Sequence, residues 1–232
     1  MFKSCRLFAI LALSMGAAAN GNATTISLGS YATTATNPGF DNSATTYIPG
    51  SSTVDTGSTS TYDISAGSVW HAALGASSYV SFDAGTGADL TYIAPNGDYV
   101  YSTTFSTPSK SSGDWDEASG TLTVLADDTL SVYLNGNLIL ASAGPMGSDN
   151  EYSHCSDVGP GCLTPFTFNF DGILDGVNVL TFDVQQVNGM NEGLDYTGSV
   201  TTSLAPEPSS LALFGTGLLG IVGMMRRFQP SK

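Results

Sequence analysis

Residues 127–140 read DDTLSVYLNGNLIL, and this stretch decides the fold. Leu130, Val132 and Leu134 fall on alternate positions, the period of a half-buried strand. Asn135-Gly136 follows, and Leu138-Ile139-Leu140 returns. A tight two-residue hairpin turn needs positive φ at both central positions, which asparagine and glycine accept at least steric cost. The stretch predicts a β-hairpin.

The same period recurs outward from it. DYVYSTTF (98–105) sets Tyr99, Tyr101, Thr103 and Phe105 on one face, and GTLTVLA (120–126) places Leu122 with Val124. SSYVSFD (77–83) reads as a short strand, and PFTFNF (165–170) aligns Phe166, Phe168 and Phe170 as core. In GVNVLTFDVQQV (176–187), Leu180, Phe182 and Val184 point inward, and Thr181, Asp183 and Gln185 outward. GLDYTGSVTTSL (193–204) supplies a last strand. Residues 26–68 are rich in Thr, Ser and Gly and predict short strands joined by long loops. Many short period-two strands between Gly, Asn and Asp turns predict an all-β sandwich or barrel.

The two ends read differently. MFKSCRLFAILALSMGAAANGNA (1–23) has Lys3 and Arg6, an apolar run and then small residues, the layout of a cleavable secretory signal helix. At the other end, Pro206-Glu207-Pro208 precedes an apolar run over 211–225 and then Arg226-Arg227. Fifteen apolar or small residues fall below the usual ~20 of a comfortable membrane span, and Ser209 and Ser210 extend the run to seventeen. Four of those residues are glycines, which allow close packing against another helix. Arg226 and Arg227 would hold that end on the cytoplasmic side. The organisation expected is a signal peptide over 1–23, a β-sandwich domain over 24–204 and a sorting segment with a transmembrane helix over 205–230.

Between the ends lie nineteen of the twenty acidic residues and a single cation, Lys110, a formal −18 for the body. Such a surface repels phosphate backbones, so nucleic acid is excluded as a partner. Its plain consequence is solubility, and it also attracts divalent cations. Cys155 and Cys162 enclose six residues including Gly159-Pro160-Gly161, and in an exported chain such a pair predicts a disulfide closing a small loop. A zinc site with His154 would lack a fourth ligand.

APEPSSLALFGTGLLGIVGMMRR (205–227) resembles the PEP-CTERM sorting signal of exported bacterial proteins: triplet, apolar segment and arginine pair stand in order at the C-terminus. The resemblance implies recognition of Pro206, Glu207, Pro208, Arg226 and Arg227 by an exosortase-type membrane protease. It further implies a Gram-negative bacterium that makes extracellular polysaccharide, and transient anchoring before release to the cell surface or beyond. Residues from Pro95 to about Ser203, through PNGDYVYSTTF, GTLTVLADDTLSVYLNG, PFTFNFDGILDGVNVLTFDVQQV and GLDYTGSV, resemble galactose-binding-like jelly-roll modules. This implies a jelly-roll sandwich but names no ligand, because the fold hosts many functions.

An enzyme is not expected. His71 and His154 are the two histidines, and neither stands in a nucleophile or metalloprotease motif. Asp114, Asp116 and Glu117 surround Trp115 in GDWDEASG, read as a solvated loop whose oxygens could contact a sugar or Ca2+; Asp127-Asp128 opens the hairpin. No D-x-D-x-D-G calcium loop is present, and no cofactor is called for. Sugar binding needs an exposed aromatic platform beside polar side chains. Trp70 and Trp115 are the candidates for it, with Asp114 and Asp116 as polar companions. The function expected is an exported, non-enzymatic surface or matrix protein associated with exopolysaccharide. The alternatives are a dedicated carbohydrate-binding module and, more weakly, a hydrolase of cell-surface polysaccharide.

Overall fold

The computed structural model describes residues 23–32, 39, 41–67, 70–87, 91–108, 115–142, 164–187, 190–204 and 215–220, with backbone alone at 115, 116 and 204. The described residues form an all-β sandwich of two antiparallel sheets. Its strands are β1 (Thr24–Gly29), β2 (Asp41–Asn42), β3 (Thr46–Tyr47), β4 (Thr61–Asp63), β5 (Val80–Ser81) and β6 (Gly97–Ser106). They continue with β7 (Trp115–Asp127), β8 (Thr129–Leu134), β9 (Asn137–Leu140), β10 (Phe166–Phe170), β11 (Val177–Gln186) and β12 (Gly193–Leu204). Sheet A runs β10-β7-β12-β5-β4-β2, with β1 also paired to β12; sheet B runs β3-β6-β11-β8-β9. From β6 to β12 the chain changes sheet at every connection except the β8–β9 hairpin. That alternation is consistent with a jelly roll.

The hairpin is built as its sequence dictates. Asn135 and Gly136 have φ of 51° and 80°, both in the left-handed region that a two-residue turn requires. The Asn135 N–H donates to Val179 O (2.8 Å), and its Oδ1 accepts from the Val179 N–H (2.9 Å), so the turn is tied to β11.

Alternation sorts side chains as expected. Tyr99, Tyr101, Leu130, Val132, Leu180, Phe182 and Val184 are buried between the sheets, with Leu122, Val124, Tyr196 and Val200 of sheet A opposite them. Phe182 stacks on Tyr196 with centroids 4.3 Å apart, and Phe82 stacks on Tyr99 at 5.0 Å. Each such ring contributes about 2–3 kcal/mol through its removal from water. Of the phenylalanine row, Phe170 is buried and Phe166 and Phe168 pack half-buried against the core. A second, smaller cluster of Ile64, Trp70, Leu74, Tyr79 and Leu125 covers sheet A from outside.

One expectation is corrected. Residues 115–119 are not a loop: β7 starts at Trp115, with Glu117 opposite Ser203 and Trp115 opposite Leu204. The extended run VTTSL of β12 supplies a pairing partner, and pairing overrides the poor strand propensity of acidic residues. At the C-terminus, residues 215–220 of the expected transmembrane helix are helical and exposed. Among the described residues no helix is long and apolar enough to cross a membrane. The rest of that segment, the signal helix over 1–22, and Asp114, Cys155, Cys162, Pro206, Glu207, Pro208, Arg226 and Arg227 lie outside the described residues.

Candidate functional site

A cleft of about 710 Å3 opens where β1, at the edge of sheet A, faces β6 at the edge of sheet B. β3 covers β6 only at Tyr101 and Ser102, so the strand from Thr103 to Ser106 has no described strand beside it on that side. Eight Ser and Thr residues line the cleft: Ser27 and Thr197 on the sheet A side, Ser43 and Ser77 from the connections, Thr46 on β3, and Ser102, Thr103 and Thr104 on β6. Ile26, Leu28 and Phe105 give it an apolar floor, and Tyr31 adds an aromatic ring. No carboxylate, imidazole or thiol is among its described lining residues.

The wall at Ser77 is held from behind. The Ser30 N–H donates to Ser77 Oγ (3.0 Å), and the two hydroxyls meet at 2.5 Å. Ser30 Oγ also reaches Asp195 Oδ1 (2.8 Å), while the Leu74 N–H donates to Oδ2 (2.7 Å). Burial raises the Asp195 pKa, and these hydrogen bonds oppose the rise. A serine activated as a nucleophile needs a base within reach. Asp195 hydrogen-bonds both Ser30 and Ser77, so a buried carboxyl fixes the Ser77 hydroxyl from behind. Hydroxyls that both donate and accept, over an apolar floor, suit a neutral ligand rich in hydroxyls of its own.

Away from the cleft, the other end of the sandwich gathers buried carboxyls. Glu192 is fully buried and accepts from the Tyr101 hydroxyl at 2.9 Å on each oxygen and from Ser81. Desolvation pushes its pKa from 4.5 up to about 8, against the pull of those hydrogen bonds. The Val187 N–H donates to Asp128 Oδ2 (2.5 Å). Asp63 is also buried, its pKa raised by desolvation and held back by a hydrogen bond from Ser78. Among the described residues, no group of three or more His, Cys, Asp or Glu is arranged to hold a metal ion.

Trp70, a candidate sugar platform, is corrected by the structure. It is 6% exposed, packs on Tyr79 with centroids 4.8 Å apart, and donates from Nε1 to Asp127 Oδ2 at 2.9 Å. An indole with a buried hydrogen-bond partner is a core residue, since its face has no room for a sugar. Trp115 begins β7 at the opposite end of the sandwich, paired with Leu204, and Asp116 follows it in the strand. The structure therefore unites Trp70 with Asp127, away from the cleft. The cleft residues escaped sequence reading because they come from five distant segments of a chain in which Ser and Thr are everywhere.

Leu204, the last residue of β12, is also where the comparison with known families begins: residues 204–227 match the PEP-CTERM protein-sorting motif. The chain carries a PEP-CTERM sorting signal. That signal implies processing by an exosortase and export to the cell surface or beyond. No curated protein matches the chain. Among solved structures it is similar to the CBM35 from Paenibacillus barcinonensis, with 12% identity, a TM-score of 0.30, and coverage of 68% of this chain and 94% of that one. A family 35 carbohydrate binding module from Clostridium thermocellum follows at 13% identity and TM-score 0.26, covering 56% and 82%. For the beta-glucosidase from Kluyveromyces marxianus in complex with glucose the values are 11% and 0.27, and the chain spans 11% of that enzyme's length.

Proposed function

We infer that this PEP-CTERM protein is a non-enzymatic matrix or surface protein of a Gram-negative bacterium, and that it associates with exopolysaccharide through the cleft between β1 and β6. The observation that carries this reading is the lining of the cleft: among the described residues it presents eight neutral hydroxyl-bearing side chains, a tyrosine and an apolar floor. A neutral site also fits an acidic body, because sugar hydroxyls are not repelled by it as anions are. Pro206-Glu207-Pro208 is the segment an exosortase would recognise, the apolar run over 211–225 holds the chain in the membrane until processing, and Arg226 and Arg227 retain its cytoplasmic end.

The test is retention of the purified chain on the exopolysaccharide of its own host. Thr104 is exposed on the cleft wall, so Thr104→Trp fills the cleft without disturbing the core. Retention of the parent that is lost in Thr104→Trp supports the reading; equal retention of both, or of neither, overturns it. A glycan array separates the general role from a dedicated carbohydrate-binding module, which would select one glycan. Intact mass of the secreted protein reads the rest: loss of Arg226 through Lys232 marks processing, and a deficit of two hydrogens marks pairing of Cys155 with Cys162.

A further inference from the structure

The large aliphatic side chains exposed on the sandwich are unevenly placed. Ile93 and Met190 lie on neighbouring segments, joined by the Ala94 N–H donating to Met190 O (3.0 Å). Leu138, Leu174, Val177 and Val179, at 55%, 55%, 65% and 38% exposed, gather at one corner of sheet B. Register brings them together. Val177 and Val179 alternate along β11 and share its outer face. Tyr133 pairs with Thr181 on one side and Leu138 on the other, so Leu138 stands one strand further along that face.

The corner is firmly built. Asn178 is fully buried, and its Oδ1 accepts from the Leu174 N–H (2.7 Å) and from Asn135 Nδ2 (2.9 Å). Its Nδ2 donates to Leu174 O (2.8 Å) and Gly176 O (3.1 Å). One amide thus fastens the β10–β11 connection to the β8–β9 hairpin, and the aliphatic side chains are presented from a fixed frame.

The chain leaves the sandwich at this same end. The connection over 187–192 joins the end of β11 to the start of β12, so the last residue of β12 lies at the end where β11 begins. The sorting signal starts at that residue, Leu204, and the apolar run starts at Leu211, seven residues on. Extended chain spans at most about 25 Å over that distance. Whatever receives the apolar run therefore lies within reach of the corner.

We propose that this corner is a second membrane contact, which lays the sandwich on a zwitterionic lipid surface while the tail is inserted. The proposal rests on the reading of residues 211–225 as membrane-entering. Zwitterionic lipid is the fitting surface because Glu117, Asp171 and Asp175 are exposed at this end and repel anionic headgroups.

Two reporter variants of the full chain test it, mixed with phosphatidylcholine vesicles with or without bromine on the acyl chains. Leu174→Trp reports on the corner and Leu219→Trp on the tail; both positions are exposed, and the parent's own tryptophan signal is subtracted. The expected result is bromine quenching of both reporters, and vesicle partitioning about tenfold weaker in Leu138→Ser/Val177→Ser. Quenching at 219 but not at 174 overturns the corner contact and leaves the tail reading intact. Quenching at neither position overturns the tail reading, and the corner contact with it. A Leu174→Trp signal that shifts with protein concentration in the absence of lipid overturns the proposal in favour of self-association.

Discussion

Glu192→Gln should flatten the pH dependence of stability. Glu192 is fully buried with hydroxyl partners only, and its pKa rises from 4.5 to about 8 because the interior disfavours its charge. Between those values the folded chain keeps a proton that the unfolded chain has released. A raised carboxyl pKa therefore contributes stability that is complete below about 4.5 and is lost as pH climbs through about 8. At about 1.4 kcal/mol per pH unit, the loss across that window approaches about 5 kcal/mol as a ceiling. Glutamine keeps the size and much of the hydrogen bonding to Tyr101 and Ser81 but cannot ionise. Urea unfolding of parent and variant from about pH 5 to about pH 9 isolates this one group, because Asp63, Asp183 and Asp195, whose pKa values are also raised, act alike in both proteins. The variant gains on the parent steadily through the window and holds its lead above it. Parallel curves, offset by a constant, would refute the assignment of Glu192 as a buried neutral acid.

Other changes have equally definite outcomes. Trp70→Phe removes the indole donor to Asp127 and should cost about 1–3 kcal/mol in urea unfolding, with polysaccharide retention unchanged because Trp70 is absent from the cleft lining. Gly120→Ala would place a methyl group 2.1 Å from Phe170 Cζ, an overpacking that should cost about 1–3 kcal/mol. Phe170→Leu should recover part of that loss in the double variant. Added sodium chloride should raise the unfolding free energy by on the order of 1 kcal/mol, and the urea midpoint with it, by screening repulsion among the surface acids; a fall would point to ion pairs that a body with one lysine is not expected to hold.

The sandwich was legible wherever one face of a strand is buried. Leu180, Phe182 and Val184 alternate because β11 is a central strand of sheet B with core beneath it, and Asn135-Gly136 marked its turn because few other residues accept that backbone. The strands over residues 24–63 are short and rich in Thr and Ser, so no period could form, and only pairing defines them, β1 with β12, β3 with β6, and β2 and β4 with each other. Trp115 to Ser119 hid for a related reason: their strand character comes from β12. The cleft was illegible because a Ser or Thr that lines a cavity and one that faces bulk water look the same in a sequence. Its residues acquire meaning only through the separation of two sheet edges.

The same limit applies to the acids. A formal −18 treats every carboxyl of the body as ionised and solvated, and on that count Asp127-Asp128 looks like a lure for cations. The structure withdraws several from that role: burial pushes the Glu192 pKa up towards the neutral form, and Asp63, Asp127, Asp128 and Asp195 are buried. The donors seen on them are an indole, backbone N–H groups and serine hydroxyls. A carboxylate accepting charge-assisted hydrogen bonds from neutral dipoles can stay folded inside without a positive partner. A chain rich in Ser and nearly free of Lys and Arg can therefore build a polar interior from acids and hydroxyls, leaving its neutral cleft as the surface best suited to sugar.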